Sequence, residues 1–304
     1  MSEDDAKVDR LAAKLDENPN LLLAFVGPTA SGKTELAIRV CEKVGGEIVS
    51  VDSVQVYRGF DIGSGKPNAE ERLRARHHLI DVVGPLEPID ASRFAELAAL
   101  AITDIRARGK KPILCGGTFL WLKALLFGLA EAAPASEEIR ARHRSEIEAI
   151  GREAFHDRLR AVDPESAERL HFNDVVRVSR ALEVHELTGK KLSDEHRAHR
   201  FANARYEAEL FAVARTPEDL TNRIRLRVES WLSSGWIEET EKLLADGYGP
   251  SRAMTTVGYR EVRDFLVGDL ARADLSATIV RRTRVFARRQ RTWLNQPGAP
   301  FSWV

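Results

Sequence analysis

The stretch Gly27-Pro28-Thr29-Ala30-Ser31-Gly32-Lys33-Thr34 constrains this chain more than any other part of its sequence. Its spacing, G-x-x-x-x-G-K-T, is that of a loop that binds phosphate through backbone amides. An apolar run from Leu21 to Val26 precedes it, and a helical pattern begins near Lys33. A strand, a glycine-rich turn and a helix N-terminus together favour anionic oxygens. The sequence therefore predicts a site for a diphosphate or a triphosphate.

Each residue type in this loop has a chemical reason to be there. Lys33 would place a positive charge on the terminal phosphate, and the Thr34 hydroxyl would bind a Mg²⁺ ion. We predict Mg²⁺ as the cofactor and Thr34 as its protein ligand. The residues predicted to contact the diphosphate are Gly27, Thr29, Ala30, Ser31, Gly32, Lys33 and Thr34.

Apolar runs alternate with helical patterns over much of the chain. This alternation predicts an α/β fold, a P-loop NTPase-like parallel sheet flanked by helices, with an inserted helical subdomain. We expect the catalytic core at residues 1–130 and 206–304, because residues 131–205 are rich in charges and helical spacing. The further strands are predicted at residues 47–51, 78–83, 112–115 and 206–215, with a loop over residues 58–77.

Two strand ends carry polar residues beside the predicted phosphate site. Functional residues of an open parallel sheet gather beyond the carboxyl ends of its strands. Asp52 follows the second strand and could accept a proton or hold a metal, and Gln55 could read the edge of a base. Alternatively, Asp52 is an N-cap and Gln55 is a surface residue. Thr118, after two glycines, would face the same crevice, although helix capping also selects threonine.

Arginines cluster in two helical patterns near the C-terminus. Arg223 and Arg227 are four residues apart and could clasp phosphates, or they could pair with Glu218 or Glu229 on the surface. In the last helix, predicted at residues 275–294, one stripe contains only basic charges and predicts contact with a nucleic-acid backbone. Its members are Arg281, Arg284, Arg288 and Arg291. Ile279, Phe286 and Trp293 are predicted to form the core face of the same helix.

Composition excludes several classes of protein but does not select a function. Lys and Arg together number 46, as do Asp and Glu, so net charge alone favours no nucleic-acid partner. Cys41 and Cys115 are too few for a disulfide framework and are predicted to be buried thiols. No apolar run reaches membrane-spanning length, and the acidic N-terminus does not read as a signal peptide. We expect a cytoplasmic monomer without membrane contact.

Several of these stretches, taken together, resemble the bacterial-type tRNA dimethylallyltransferases, also called tRNA isopentenyltransferases. The matching runs follow the family's order from the first strand almost to the C-terminus. They are Gly27–Thr34, Val51–Tyr57, Asp61–Gly63 with Lys66-Pro67, His78–Asp81, Gly116–Thr118, Arg180–Val184, Gly258–Arg260, Arg288–Gln290 and Thr292-Trp293. The phosphate loop alone is common to many families, whereas this combination is specific.

The resemblance implies a reaction and assigns its residues. A dimethylallyl group would pass from dimethylallyl diphosphate to the exocyclic N6 amine of the adenosine 3′ of the tRNA anticodon. The implied catalytic residues are Asp52 as the base, Lys33, Arg223 and Thr118, and Arg223 would also bind the diphosphate. The implied tRNA contacts are Asp52, Ser53, Val54, Gln55, Thr118, Arg140, Arg177, Arg180, Gly258, Tyr259, Arg260, Arg281, Arg284 and Arg288, with the helical insertion on the anticodon stem-loop.

The chain departs from the family pattern at a few positions. It reads Asp174-Val175-Val176-Arg177 where the family has Asp-Pro-Gln-Arg, so Val176 replaces a base-reading glutamine. Ser64-Gly65 replaces Thr-Ala, and Trp121 stands where tyrosine is common. None of these changes removes a predicted catalytic group.

Other readings of the same residues remain. A phosphate-loop kinase of a small metabolite would need an adenine site and lid arginines, which the sequence does not identify. A GTPase is disfavoured because no Asn-Lys-x-Asp motif occurs. A prenyltransferase acting on free adenylates would need neither the arginine stripe nor a sizeable insertion. A non-catalytic RNA-binding protein with a vestigial phosphate loop would not need Lys33, Thr34 and Asp52.

Overall fold

The computed structural model describes residues 3–129, 135–199, 204–295 and 301–304. The chain divides into two compact units. The first, which we call the core unit, consists of residues 1–126 and 205–304, and the second, the helical unit, of residues 127–204.

The core unit contains a six-stranded sheet in which every pair of neighbours is parallel, in the order β3–β2–β4–β1–β5–β6. This confirms the predicted fold class. The strands are β1 Leu22–Val26, β2 Gly46–Val51, β3 His77–His78, β4 Lys111–Gly116, β5 Ala208–Ala212 and β6 Phe301–Trp303.

The central strand β1 explains why the sheet forms where it does. All five of its residues are buried, as expected for a strand covered on both faces. It pairs with β4 on one side and β5 on the other, and the Phe25 ring lies 6.0 Å from that of Phe211 on β5. Val26 is in register with Gly116 and Ala212, so the loops that follow these strands emerge at one edge of the sheet.

Fourteen α-helices are found in the described parts of the chain. Glycine ends two of them in a left-handed conformation, Gly45 after α2 and Gly189 after α9. The helices are α1 Glu3–Glu17, α2 Lys33–Val44, α3 Ala69–Arg74, α4 Ala91–Ala107, α5 Phe119–Phe127, α6 Glu137–Ile150, α7 Arg152–Val162, α8 Pro164–Arg169, α9 Val175–Thr188, α10 Leu192–His199, α11 Pro217–Ser233, α12 Trp236–Ala245, α13 Tyr259–Leu266 and α14 Arg272–Leu294.

The helical unit has its own apolar core. Helices α6 to α10 lie within it, and the core consists of Phe155, Leu159, Ala167, Val178, Ala181 and Leu182. Asp174 accepts a hydrogen bond from the backbone amide of Arg177, so it caps α9. The predicted boundary residues 131–134 and part of the predicted C-terminal boundary, residues 200–203, lie outside the described residues.

Three local predictions were wrong. The third strand, predicted over residues 78–83, ends at His78, because Leu79 and Asp81 adopt positive φ values of 61° and 60°. The predicted loop at residues 58–77 contains helix α3, which begins at a capping box formed by Asn68 and Glu71. Phe286 was predicted to lie in the core but is 43% exposed.

The two cysteines and the helix lengths agree with the sequence analysis. Cys41 and Cys115 are free thiols and are buried, as predicted. Among the described residues, no helix combines the length and the apolar character that crossing a bilayer would require.

A buried carboxylate joins the amino-terminal end of β2 to its neighbours. Glu47 accepts hydrogen bonds from the Arg108 guanidinium, one of them 2.7 Å long, and its Oε2 lies 2.6 Å from His78 Nε2. The bonds from Arg108 lower the pKa of Glu47 to about 2, burial opposes the shift, and His78 adds to it. Because the folded state lowers this pKa from 4.5, the pair contributes stability above about pH 4.5 that is lost as the pH falls towards about 2.

We expect the Glu47→Gln variant to have a free energy of unfolding roughly 2 to 4 kcal/mol below that of the parent near pH 7. The difference should shrink between pH 4.5 and pH 2, because acid removes the charge from the parent as well. Urea denaturation followed by circular dichroism measures both quantities. Glu96→Gln, which breaks an exposed pair with Arg93, is the control and should cost less than about 1 kcal/mol. Equal stability of parent and Glu47→Gln at neutral pH would contradict this account.

Candidate active site

The phosphate loop lies between β1 and α2, with a backbone shape that its small residues permit. Gly32 has φ 92° and precedes the first residue of α2, and Ala30 also adopts a positive φ, 65°. A Cβ atom on Gly27 would lie 2.8 Å from Ser31 Oγ, so only glycine fits there without displacing Ser31. Arg215 Nε donates a hydrogen bond of 2.9 Å to the Ser31 carbonyl and fixes the loop from outside.

The loop residues have two different roles. Thr29, Ala30, Gly32, Lys33 and Thr34 line a cavity of about 420 Å³, which we call the phosphate-loop cavity. Gly27 and Ser31 are absent from its lining. The Ser31 side chain is fully buried, and within the described residues its hydroxyl has no hydrogen-bond partner. These two residues shape the loop, and their predicted contact with a diphosphate stays a prediction.

The side chains of Lys33 and Arg227 face this cavity, and loss of contact with water affects the pKa of both. Burial lowers the pKa of Lys33, Cys115 opposes the shift, Arg227 adds to it and Asp52 opposes it. Desolvation also lowers the pKa of Arg227, although part of that side chain remains in solvent. Cations deprived of water gain from an anion placed between them. The cavity is therefore suited to a small, highly charged anion.

Arg223 and Arg227 behave differently despite their common spacing on α11. Arg223 Nε lies 3.2 Å from both carboxylate oxygens of Asp219, and its side chain lines the phosphate-loop cavity. Arg227 donates to Thr29 Oγ1 at 3.3 Å and its guanidinium lies over the Trp231 ring. The four-residue spacing indicated both arginines as possible phosphate ligands, whereas the family resemblance assigned a role to Arg223 alone.

Asp52 caps a turn and also faces the site. Its Oδ1 accepts hydrogen bonds from the backbone amides of Val54 at 2.9 Å and Gln55 at 3.3 Å. The capping alternative is thus realised, but it uses only one oxygen. Across the described part of the chain, no hydrogen bond to the second oxygen is found. Asp52 lines the phosphate-loop cavity together with Lys33.

The Gln55 amide is occupied by protein groups. Its oxygen accepts from the Ser50 hydroxyl at 2.9 Å, and its nitrogen donates to the Gly65 carbonyl at 2.8 Å. Reading a base edge would require these bonds to exchange. In the structure, Gln55 joins the end of β2 to the segment of residues 61–66.

A second cavity of about 310 Å³ adjoins the first and has more apolar walls. We call it the aromatic cavity, because Trp231, Trp236 and Phe286 line it. Thr29, Lys33, Asp52 and Arg227 line both cavities. The remaining predicted residues on its wall are Ser53, Val54 and Thr118.

Thr118 joins two of the loops at this edge of the sheet. Its Oγ1 accepts a hydrogen bond of 3.1 Å from the Ser53 amide, and its own amide donates to the Val51 carbonyl. A Cβ on Gly116 would lie 2.0 Å from the Val51 carbonyl oxygen. The glycine therefore allows the turn after β4 to pack directly on the end of β2.

Gln290 of α14 is a buried residue that the sequence did not single out for the site. Its side-chain oxygen accepts a hydrogen bond of 2.9 Å from the Thr29 amide, and its nitrogen donates one of 3.1 Å to the Gly117 carbonyl. It also lines the aromatic cavity. Its place in the run Arg288–Gln290 was the only sequence signal for it.

The segment of residues 61–66 is held by α12 and α13. Glu239 accepts hydrogen bonds from the amides of Asp61 at 3.1 Å and Ile62 at 2.8 Å, and from the Tyr259 hydroxyl at 2.6 Å. That hydroxyl in turn accepts from the Gly63 amide at 3.1 Å.

The resemblance implies that Gly258 and Tyr259 bind tRNA, and this contact stays a prediction, because in the structure both residues pack inside the protein. Tyr259 is 0% exposed, and Gly258 is buried against Trp236, whose ring would lie 2.4 Å from an added Cβ. Arg260 is half-buried, and its guanidinium donates to Glu261 at 2.7 Å. Lys66 also lines the phosphate-loop cavity, and there it binds Asp61 and Asp81.

The arginine stripe of α14 is present as predicted. Arg281, Arg284, Arg288 and Arg291 line a groove of about 320 Å³ between α11 and α14, which we call the arginine groove. No carboxylate of the described residues pairs with any of the four. Its floor is apolar and includes Leu220, Ile224 and Val285.

The predicted arginines of the helical unit surround one carboxylate. Glu183 is 0% exposed and accepts hydrogen bonds from Arg140 at 3.1 Å and Arg180 at 2.6 Å. Burial would raise the pKa of Glu183, but the bonds from Arg180, the Ser136 amide and Arg140 lower it. Arg177 is largely exposed, with Asp174 3.4 Å away.

The oxygen atoms that line the phosphate-loop cavity fit a Mg²⁺ ion that is bound mainly by the oxygens of a diphosphate. Among the described residues no cluster of three His, Cys, Asp or Glu side chains could hold a metal alone. The Thr34 hydroxyl and the Asp52 carboxylate line one cavity, and Mg²⁺ commonly takes one or two protein oxygens, phosphate oxygens and water. The residues present therefore fit Mg²⁺ together with a diphosphate, but they do not fit a metal site made by protein alone.

The fold and this site define a phosphate-loop α/β protein with a second ligand cavity beside the loop. A family model described as IPP transferase matches residues 55–297. The tRNA dimethylallyltransferase of Sorangium cellulosum is 58% identical over 283 residues, which cover 93% of this chain and 90% of that protein. The chain belongs to the tRNA dimethylallyltransferase family.

Solved structures agree with this assignment. The full-length tRNA isopentenylpyrophosphate transferase of Bacillus halodurans has a TM-score of 0.69 at 35% identity, covering 94% of this chain and 89% of that one. A eukaryotic dimethylallyltransferase acting on tRNA has a TM-score of 0.78 at 26% identity, covering 94% of this chain and 73% of that one.

Proposed function

We propose that the protein modifies tRNA by transferring a dimethylallyl group from dimethylallyl diphosphate to the exocyclic N6 amine of the adenosine 3′ of the anticodon. The observation that carries this proposal is the position of Lys33 and Asp52. Both line the phosphate-loop cavity and the aromatic cavity, so a cation for a leaving diphosphate and a base for an incoming amine meet where the cavities adjoin.

The proposed step is a substitution at the first carbon of the dimethylallyl group. The amine nitrogen forms a bond to that carbon while the carbon–oxygen bond to the diphosphate breaks, and the diphosphate keeps the electron pair. The amine proton passes to the second carboxylate oxygen of Asp52, while the first continues to cap the turn. Lys33, Arg223 and Arg227 neutralise the charge that grows on the leaving group.

Mg²⁺ would be held by the Thr34 hydroxyl and diphosphate oxygens. When bound, it supplies further positive charge on the leaving diphosphate. The aromatic cavity would receive both the dimethylallyl group and the adenine, which must leave the anticodon-loop stack to enter it. Thr118 and Ser53, whose hydrogen bond joins two loops at this wall, would be close to the adenine.

The tRNA backbone would lie on exposed basic groups. In the core unit these are Arg281, Arg284 and Arg288, which pair with no described carboxylate. In the helical unit Arg177 is exposed, and Arg140 and Arg180 extend from the buried Glu183. Val176, in place of the family's glutamine, is 80% exposed beside Arg177, so a contact to RNA there would be apolar. We further expect a cytoplasmic monomer.

We expect the purified protein with Mg²⁺ and labelled dimethylallyl diphosphate to transfer label to unmodified tRNA and not to free AMP. Asp52→Asn should lower kcat about 10²- to 10⁴-fold, because the amide can still cap the turn but cannot take the proton. Asp90→Asn, which preserves the N-cap of α4 at a residue that lines none of the three cavities, is the matched control and should be fully active. Scintillation counting of precipitated tRNA measures the transfer.

Three outcomes would contradict the proposal in different ways. Label in AMP alone would indicate an adenylate prenyltransferase. Consumption of ATP without transfer of label would indicate a kinase. An Asp52→Asn variant as active as the parent would exclude Asp52 as the base.

We expect Arg284→Gln/Arg288→Gln to raise the KM for tRNA about tenfold or more and to leave the KM for dimethylallyl diphosphate unchanged, because these arginines would contact only the RNA backbone. The slope of log affinity against log salt concentration should fall by roughly one to two units. Arg282→Gln/Arg289→Gln removes the same charge from residues of α14 that are not in the groove lining and is the control. Equal effects of the two pairs would show that only net charge matters.

A further inference from the structure

We infer that Gln290 is a positioning residue that sets the distance between the diphosphate site and the wall where the adenine binds. The inference rests on the proposed function. Gln290 is buried, and its two hydrogen bonds end on different loops of the site, Thr29 in the phosphate loop and Gly117 in the turn after β4.

The side-chain oxygen of Gln290 binds the phosphate loop. The Thr29 amide donates to Gln290 Oε1 at 2.9 Å, so this amide is already engaged within the protein. Thr29 Oγ1 accepts from Arg227, which makes Thr29 the point where α14, α11 and the loop meet. The Ser31 amide donates to the Pro28 carbonyl at 3.2 Å, and the described contacts include no hydrogen bond from the amides of Ala30 and of residues 32–34, which leaves these amides for a diphosphate.

The side-chain nitrogen of Gln290 binds the opposite wall of the site. Gln290 Nε2 donates to the Gly117 carbonyl at 3.1 Å, and a Cβ on Gly117 would lie 2.5 Å from that nitrogen. The approach therefore requires glycine at this position. Thr118, the next residue, holds the Ser53 amide beside Asp52. The position of Gln290 thus fixes the wall that carries the proposed base.

Only a side chain with an acceptor and a donor at this length can make both bonds. A leucine has nearly the same size and fills the same space, but it leaves the Thr29 amide and the Gly117 carbonyl without partners. A glutamate keeps the acceptor for Thr29 and loses the donor for Gly117. Because an error of about 1 Å in the placement of reacting groups can cost about 10²-fold in rate, this one residue should affect kcat.

The test compares Gln290→Leu and Gln290→Glu with the parent in the tRNA transfer assay. We expect kcat of Gln290→Leu to fall about 10- to 100-fold, while the affinity for inorganic diphosphate, measured by calorimetry, changes less than about threefold. Gln290→Glu should not recover the lost rate, because one carboxylate oxygen can accept from the Thr29 amide but the other would face the Gly117 carbonyl with no hydrogen to donate. Leu275→Ala, at a buried position of α14 that lines none of the three cavities, is the control for loss of stability alone.

The outcomes separate this inference from the proposed function. If the parent itself transfers no label to tRNA, the proposed function fails. If the parent is active and Gln290→Leu keeps kcat within about twofold, Gln290 has no positioning role. The inference is also overturned if kcat falls only in proportion to a lower melting temperature, as in Leu275→Ala.

Discussion

The burial of β1 between β4 and β5 is the constraint on which the rest of the structure depends. A strand with all five residues in the core must have neighbours on both sides, and both neighbours are parallel to it. The parallel register brings the loops after β1, β2 and β4 to one edge of the sheet. The phosphate loop, Asp52 and Thr118 are therefore neighbours because of strand pairing, although they are far apart in sequence.

At this edge of the sheet, cations favour a bound anion and packed polar residues hold the loops in place. Lys33 is partly withdrawn from water and Arg227 lies beside it at the same cavity, an arrangement that favours a bound anion over the empty cavity. Buried polar residues without catalytic chemistry keep the loops in place. Glu239 and Tyr259 hold residues 61–63, and Gln290 holds the phosphate loop. Because Glu239, Tyr259 and Gln290 each hydrogen-bond to backbone amides of these loops, the wall of the site is in place before any ligand binds.

The sequence predicted those features that depend on local pattern. The strand–loop–helix at Gly27–Thr34 was predicted because apolar runs, glycines and a helix start are contiguous. The arginine stripe followed from helical periodicity, whereas the exposure of Phe286 on the same helix did not. Periodicity places Phe286 on a face of α14 but does not say that this face lines a cavity. The extended pattern after His78 likewise gave no sign that Leu79 and Asp81 adopt positive φ.

What the sequence could not supply are contacts between distant residues. Gln290 reaches Thr29 across 261 positions, and Tyr259 reaches Gly63 across 196, so no local pattern reports either bond. A crystal structure of the protein with an unreactive thio analogue of dimethylallyl diphosphate and an anticodon stem-loop would show where both substrates bind. We expect the diphosphate to lie in the phosphate-loop cavity on Lys33 and Thr34, with the adenine amine within hydrogen-bonding distance of Asp52. A diphosphate bound elsewhere, or an adenine remote from Asp52, would contradict this expectation.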